Sequence, residues 1–399
     1  MATQNSSCVL IGIISMSMAV LGAFAQQEKP YGFKINNLTI SPYVNLEATW
    51  DSNVDLNTRE YDDWWLTINP GVDLTYTGND WGLSGNLWYS YDKYMEYDEL
   101  DEPRYGESLK GYWESPKGVR LVLGQSYMKS KSNDSILDGG HGVWRERDYL
   151  DFQGALSYQM GERTGMTLSG HYSDLNYKNN SEKYGHLYGW DEWTVGLELA
   201  RKLTEKSNLL LSGTYQEYQS AGAKDDRFKN GSEGFSLMAG LGSRATERIT
   251  YRALTGASWF NYGDQGNIVG WTYSLDVNWV INNKLAATVV GSSYFQPSET
   301  EVNQSMQVYT MSGGLTYRPA RRLSLRGDVA YRRETDEYSR AGYSAKMVDN
   351  IWSVRGRATY QMQRHVSIYA GLEYTDWESE EKNHEYDRIL ATLGVNFRY

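Results

Sequence analysis

Hydrophobic and polar residues alternate along most of the chain, in segments of about a dozen residues. The pattern is clearest at the carboxyl end, where every second position from residue 389 onward is apolar or aromatic. These positions are Ile389, Ala391, Leu393, Val395, Phe397 and Tyr399. Because successive side chains of a strand point to opposite faces, the pattern predicts a strand with one apolar face and one largely polar face.

Two kinds of link separate these segments and alternate along the chain, with a repeat of roughly 40 residues. The short links are rich in Gly, Asn, Asp and Pro, whose backbone preferences suit tight turns. They lie at residues 78–80, 115–118, 161–165, 204–207, 245–248, 282–284, 320–322 and 363–364. The longer, polar links lie at residues 56–61, 97–103, 131–146, 178–188, 221–231, 263–266, 297–301, 338–346 and 378–385.

This succession predicts an all-β fold, a single up-and-down antiparallel transmembrane β-barrel. The links imply about 18 strands, and about 16 is the alternative if one hairpin is miscounted. In such barrels the short turns face the periplasm and the longer links face the exterior. A barrel of this width has room for an aqueous channel, whereas a much narrower one would be filled by side chains.

One face of the predicted strands is too apolar for contact with water, and we expect it to face lipid. Its residues include Leu46, Ile68, Leu197, Trp271 and Leu372. Two prolines, Pro42 and Pro70, fall inside predicted strands, where a missing N–H group interrupts the ladder. A closed barrel has no free edge to accommodate them, so we expect local bulges near the periplasmic rim.

The opposite face is polar, and we expect it to line the lumen. The early strands contribute mainly acids, among them Glu47, Asp73, Asp92, Asp151 and Glu198. The last four strands contribute mainly arginines, namely Arg326, Arg332, Arg355, Arg357, Arg388 and Arg398. Two hypotheses are open. The two groups could create a field across the lumen that orients charged solutes, or they could pair with each other and hold a wet interior together.

The longest link, residues 131–146, is the candidate constriction of this lumen. It contains Asp134, Asp138, His141 and Trp144, together with glycines that permit a sharp re-entrant bend. The alternative is an exposed surface loop.

Composition agrees with a membrane barrel. Hydrophobic residues make up 40% of the chain and the mean hydropathy is −0.62, which is unlike a helical membrane protein. The chain has 33 Tyr and 14 Trp against 8 Phe, and amphipathic rings favour the membrane–water boundary. The alternative class is an aromatic-rich soluble sandwich or carbohydrate binder. The net charge of −11 disfavours nucleic acid as a partner.

The first 25 residues predict a secretory signal peptide, because an apolar run ends in the small-x-small sequence Ala23-Phe24-Ala25. Residues 26–36 form a short polar lead-in, too short for a plug domain, and residues 37–399 form the predicted barrel. The one cysteine, Cys8, lies in the predicted signal peptide. The mature chain would therefore have neither disulfides nor thiol catalysis.

Few residues indicate other chemistry. None of the five histidines has partners at metal-ligand spacing, so we expect no metal and no cofactor. The sequence His171-Tyr172-Ser173 comes nearest to a hydrolase motif, but it lacks a coherent acid partner, and we expect His171 to be polar filler of the lumen. The acidic cluster at residues 96–102 could bridge divalent cations to lipopolysaccharide, or form a solvated loop tip.

The aromatic end of the closing strand resembles that of bacterial outer-membrane β-barrel proteins. With the hairpin series and the predicted signal peptide, nearly the whole mature chain is similar to the porin-2-like group of β-barrel porins, which are often linked with exopolysaccharide loci. The resemblance implies location in the outer membrane of a Gram-negative bacterium, in contact with lipid and lipopolysaccharide. It also implies recognition of Phe397 and Tyr399 by the barrel-assembly machinery, and a homotrimer as the habitual oligomer of porins.

Two functions follow from the resemblance and the polar lumen. The first is passive diffusion of small hydrophilic solutes along the arginine-rich wall. The alternative is export or assembly of a surface polysaccharide, which lumen-facing aromatic tracks such as Trp88, Tyr112 and Tyr369 would favour. An outer-membrane enzyme is the least supported reading, so we expect no catalysis.

Overall fold

The computed structural model describes residues 32–56, 60–133, 144–178, 189–221, 232–261, 267–297, 305–340, 343–380 and 385–399. Its strands are β1 (Phe33–Ile35), β2 (Leu38–Asp51), β3 (Asp63–Thr77), β4 (Trp81–Tyr94), β5 (Glu102–Glu114), β6 (Val119–Asn133), β7 (Trp144–Met160), β8 (Thr164–Tyr177), β9 (Gly189–Lys202), β10 (Ser207–Ala221), β11 (Ser232–Thr246), β12 (Ile249–Asn261), β13 (Asn267–Asn282), β14 (Leu285–Pro297), β15 (Ser305–Ala320), β16 (Leu323–Arg340), β17 (Tyr343–Gln363), β18 (Val366–Ser379) and β19 (Tyr386–Arg398). A 3₁₀ turn at Asp98–Leu100 lies between β4 and β5.

Strands β2 to β19 form one antiparallel sheet in chain order, and β19 pairs with β2. This pairing closes the sheet, so the prediction of an 18-stranded up-and-down barrel is confirmed. Among the described residues, no helix is long and apolar enough to cross a membrane.

The register confirms the predicted division into two faces. Leu46 lies opposite Ile68 on β3 and opposite Val395 on β19, so the apolar positions of neighbouring strands share one side of the wall. Leu46 and Ile68 are exposed, as expected for a face that contacts lipid, and Leu393 is 65% exposed. On the other side, polar groups such as Asp51 are fully buried.

One predicted long link is wrong. Residues 338–346 are mostly strand, because β16 continues to Arg340 and β17 begins at Tyr343. Their ladder continues up to the pair Arg340–Tyr343. A run of polar residues does not by itself distinguish a loop from paired strands, because an antiparallel sheet can be polar where it faces water.

The two prolines do not form the predicted bulges. Pro42 lies near the short-turn end of β2, and its carbonyl accepts the backbone N–H of Tyr399 at the end of β19. Pro70 is in the middle of β3, where the pairs with β4 are interrupted without a shift in register. There the side-chain amide of Asn69 donates to the carbonyl of Tyr89 at 2.8 Å, which supplies a donor that proline lacks.

The predicted polar lead-in contains strand β1. Its residues Phe33–Ile35 pair with the start of β2 through a tight turn, in which Asn36 has a φ of 53°. Phe33 stacks on the ring of Tyr399 with centroids 4.6 Å apart, and His365 stacks on Tyr399 at 5.3 Å. The aromatic carboxyl end is thus packed within the short-turn rim.

Candidate functional site

The lumen is the candidate functional site. The register places all eleven predicted pore-lining residues on the polar side of the wall. Two ion pairs on this side skip intervening strands, Arg398 of β19 with Asp73 of β3 and Arg252 of β12 with Glu198 of β9. Side chains converge in this way on the concave side of a curved sheet, so the polar side faces the barrel axis.

The barrel closure brings the two ends of the chain together through a buried ion pair. Arg388 on β19 donates from Nε to both carboxylate oxygens of Asp51 on β2 at 2.9 Å, and its Nη2 also contacts this carboxylate. The Asp51 carboxylate also accepts the backbone N–H of Asn53 at 2.9 Å. A carboxylate in this buried position depends on such donors, because its desolvation is otherwise uncompensated.

A second ion pair lies at the short-turn end of the same seam. Arg398 contacts Asp73, and the Asn86 amide donates to the Asp73 carboxylate at 2.7 Å and to the Tyr43 hydroxyl at 3.2 Å. The adjoining cavity holds about 1690 Å³ of space, including space open to solvent. Its polar lining includes Asp73, Asn86, Lys110, Ser126, Gln361 and Arg398. This half of the lumen therefore contains a large hydrophilic cavity.

Between these two ion pairs, the side chain of Tyr369 contacts both a carboxylate and a guanidinium group. The Tyr369 hydroxyl donates to the Glu47 carboxylate at 2.7 Å, and the Arg357 guanidinium lies 3.9 Å from the centre of the Tyr369 ring. The face of an aromatic ring attracts a cation, so Tyr369 holds both charges.

Arginines are concentrated on β16 and β17. Arg355 makes two hydrogen bonds of 2.7 Å to Glu373 on β18, in a fork geometry suited to a carboxylate. Arg326 binds Asp328 on its own strand, with bonds of 2.8–3.0 Å. Arg326 also lies directly opposite Arg357 in the ladder, so positive charges are neighbours at this level of the lumen.

The other predicted lining residues also have partners close by. Arg332 binds Glu334 on its own strand. Asp92 binds Arg104 on β5 and accepts from Thr67 at 2.7 Å. These contacts favour the second hypothesis for the lumen charges, local pairing, over a field between opposed walls. The cause is the closure of the barrel, which makes the arginine-rich β19 a direct neighbour of the acidic β2.

Five inward-facing aromatic rings lie flat against the wall, because a glycine is directly opposite each of the five on the neighbouring strand. The cross-strand pairs are Tyr43–Gly71, Trp88–Gly106, Tyr112–Gly82, Tyr369–Gly394 and Phe260–Gly234. A Cβ atom at Gly394 would lie 2.3 Å from Cζ of Tyr369, so the ring occupies the space of the missing side chain. The rings therefore present their faces to the lumen without projecting into it.

Most of the predicted constriction link, residues 134–143, lies outside the described residues. Asp134, Asp138 and His141 lie outside the described residues, and for Trp144 the backbone alone is described, as the first residue of β7. Two other links turn inward, and sequence reasoning missed them. Val54 and Leu100, from the links after β2 and β4, are buried against the lumen-facing side chains of Trp65 and Tyr94.

Hydrogen bonds at the rim hold the second of these links. The Asp63 carboxylate accepts the backbone N–H groups of Glu96 and Tyr97 at 3.2 Å. Partial burial raises the pKa of the Asp101 carboxyl, but hydrogen bonds from Lys93 and from the Tyr94 backbone outweigh it, so the pKa is lowered. These carboxylates fix the link so that Leu100 points into the mouth of the lumen.

A second lumen pocket lies along β7 to β14. At one end, Nε2 of His171 lies 2.5 Å from the Asp151 carboxylate, so this lumen-facing histidine is paired with an acid. Glu192 is next to this pair and is 2% exposed. Sequence reasoning missed this cluster because its members come from three different strands. Within the described residues, no group of three or more candidate side chains is arranged to hold a metal ion.

The closed antiparallel barrel, apolar outside and polar inside, is of the outer-membrane type. The family described as "Putative beta-barrel porin 2" matches residues 28–399, so the chain belongs to this family of outer-membrane β-barrel proteins. A comparison with curated proteins gives no match.

Several solved structures have a similar barrel. The siderophore receptor PirA from Acinetobacter baumannii has a TM-score of 0.46 and 8% identity, over 92% of this chain and 81% of that chain. The copper transporter OprC has a TM-score of 0.47 and 10% identity, over 93% and 81%. The alcaligin outer-membrane receptor FauA from Bordetella pertussis has a TM-score of 0.41 and 10% identity, over 93% and 77%. At this level of identity the similarity concerns the fold alone.

Proposed function

We propose that this protein is an outer-membrane pore for passive diffusion of small hydrophilic solutes. The observation that carries the proposal is the polar cavity in the short-turn half of the lumen, next to Arg398 and Asp73. The flat packing of five aromatic rings over glycines supports it, because these rings do not project into the lumen. The paired charges keep the interior wetted without requiring a bound ion.

The test is swelling of liposomes that contain the refolded barrel, in iso-osmotic solutions of neutral sugars of increasing size. A diffusion pore gives swelling rates that fall smoothly with solute size. Equal rates with and without the protein would contradict the proposal. The comparison variant is Gly394→Trp, whose ring should project into the lumen and slow the swelling.

A second candidate function is passage or anchoring of a surface glycan. The ring faces of Trp88, Tyr112 and Tyr369 favour it, because flat aromatic faces turned to an aqueous lumen can stack on sugar rings. In this case Trp88→Ala would weaken binding of an oligosaccharide but leave swelling by small sugars unchanged. A simple diffusion pore would show no such oligosaccharide binding.

We also propose that the closing strand is the recognition element for barrel assembly. Phe397 and Tyr399 are exposed at the short-turn end of β19, with 44% and 54% of their surface accessible. A Phe397→Ala variant should therefore insert more slowly into the outer membrane in cells, while the purified chain refolds at an unchanged rate into detergent.

A further inference from the structure

The ladder between β13 and β14 is incomplete on the side of the long links. Its residue pairs begin at the short turn between the two strands, and the last pair is Ser274 with Ser292. On their other sides both strands stay paired to their ends, β13 through Asn267 and β14 through Pro297. The long-link side of such a barrel lies in the outer leaflet, so the wall has a seam there that lacks strand pairing.

Side chains close this seam in place of the backbone ladder. Thr272 Oγ1 donates to the carbonyl of Ser293 at 2.8 Å, and Ser293 Oγ accepts the backbone N–H of Tyr273 at 3.0 Å. Gln307 Nε2 reaches across from β15 to the carbonyl of Trp271 at 3.3 Å. Lipid offers no hydrogen bonds to bare backbone groups, which explains why these side chains are needed. Unlike a ladder, they can separate without changing the register of either strand.

Aromatic side chains seal the two sides of the seam. On the lumen side, Phe295 packs on Phe260 with ring centroids 5.6 Å apart, and Ile268 packs against them. On the lipid side, the Tyr273 hydroxyl donates to the carbonyl of Thr310 at 3.1 Å, across β14. The seam is therefore closed by groups that can swing aside as rotamers.

The same phenylalanines form the apolar end of the pocket along β7 to β14, and Glu192 lies at its polar end. Oε1 of Glu192 accepts from Gln216 at 2.7 Å and from Thr194 at 3.1 Å. Its Oε2 is buried and has no hydrogen-bond partner within the part of the chain that the structure describes. A buried carboxylate oxygen in this state calls for a donor from a bound molecule, preferably a cationic one.

We propose that this pocket binds amphipathic amines, with the ammonium group at Glu192 and the apolar tail passing Phe260 and Phe295 into the outer leaflet through the β13–β14 seam. This goes beyond diffusion along the barrel axis, because it gives the lumen a lateral exit into the membrane. Two independent observations support this proposal: the unpartnered Oε2 atom of Glu192 and the missing ladder pairs between β13 and β14.

The opening of the seam is tested by cysteine labelling in a Cys8→Ser background, which contains no cysteine before the labelling site is introduced. Single Ser293→Cys is compared with single Ser173→Cys, since both serines are fully buried but Ser173 belongs to an uninterrupted ladder. In liposomes, the lipid-soluble reagent N-(1-pyrenyl)maleimide should label the residue-293 cysteine at least tenfold faster. Equal rates in the two folded barrels, with folding verified by circular dichroism, would show that the seam does not open.

The ligand is tested by block of the potassium chloride current through single barrels in a planar bilayer. Decylammonium should give block events at least tenfold longer than propylammonium or decyl sulfate. Glu192→Gln should remove this difference, as should a disulfide between Thr272→Cys and Ser293→Cys. Glu373→Gln, and a disulfide between Thr49→Cys and Thr392→Cys in a regular ladder, are the matched controls and should leave it unchanged.

The outcomes separate this inference from the proposed pore. Normal current with equal block by all three probes would overturn the amine site and leave the pore intact. Absence of current would overturn the pore, and maleimide labelling would still decide whether the seam opens. Equal block by decyl sulfate and decylammonium would contradict the role of Glu192.

Discussion

Replacing Gly394 by alanine tests whether the flat packing of Tyr369 keeps its ring out of the lumen. A Cβ atom at this position would lie 2.3–2.6 Å from three atoms of the Tyr369 side chain, too close for both to stay in place. The neighbouring backbone is held in the ladder, so the ring must move. The direction left to it is toward the barrel axis, away from the wall.

The energetic consequence follows from what Tyr369 holds. A displaced ring loses its 2.7 Å hydrogen bond to Glu47 and its contact with Arg357. Overpacking typically costs about 1–3 kcal/mol, and a hydrogen bond to a charged group contributes about 1.5–3 kcal/mol. Since the two effects share one side chain they are not additive, and we expect a loss of about 2–4 kcal/mol.

Two assays measure this change. Urea unfolding of the barrel in lipid vesicles, followed by tryptophan fluorescence, gives the stability difference, and single-channel current gives the narrowing of the lumen. The matched control is Gly371→Ala, two residues from Tyr369 on the same face, where a Cβ atom would meet its neighbours at 3.7 Å or more. If both variants behave alike in stability and current, the flat packing of Tyr369 has no role in the lumen.

Three further predictions concern the charges. Arg388→Ala leaves the Asp51 carboxylate buried without its cation and should lower the free energy of unfolding by about 3–5 kcal/mol in urea titrations at neutral pH; a loss below 1 kcal/mol would contradict this role of the closure pair. Arg355→Ala combined with Arg357→Ala removes two positive charges from the lumen, and reversal potentials in a salt gradient should shift toward cation selectivity; no shift would show that these groups do not face the permeating ions. The Asp101 carboxyl has a lowered pKa in the folded state. Its stabilisation of the folded link is therefore present above the unfolded pKa of about 3.9 and is lost as the pH falls through the folded pKa. Cleavage within residues 95–100 by an acid-active protease should therefore increase as the pH falls through the folded pKa of Asp101. Asp101→Asn should abolish this pH dependence.

The fold could be predicted from the sequence because lipid imposes the same alternation on every strand. Leu46 and Ile68 show it independently, and each indicates the face of its own strand without knowledge of its neighbours. The number of strands followed from the links in the same way. The strand ends at residues 338–340 and 343–346 were predicted to be a link, because their polar sequence lacks the alternation that marks the other strands.

The details of the lumen could not be predicted, because they depend on which strands become neighbours. Arg388 and Asp51 are 337 positions apart, and nothing local marks them as partners. Gly394 and Tyr369 belong to separate strands, so the flat packing of the ring required the register between β18 and β19. Asn69 could have been considered as a substitute donor beside Pro70, since the two residues are adjacent in sequence.

The central claim is that the polar interior is an open aqueous channel. Its most direct test is the conductance of single refolded barrels in a planar bilayer bathed in potassium chloride. An open channel gives steady current steps in proportion to salt concentration, and the steps should be smaller in Gly394→Ala than in Gly371→Ala. A correctly folded barrel that inserts into the bilayer and carries no current would contradict it.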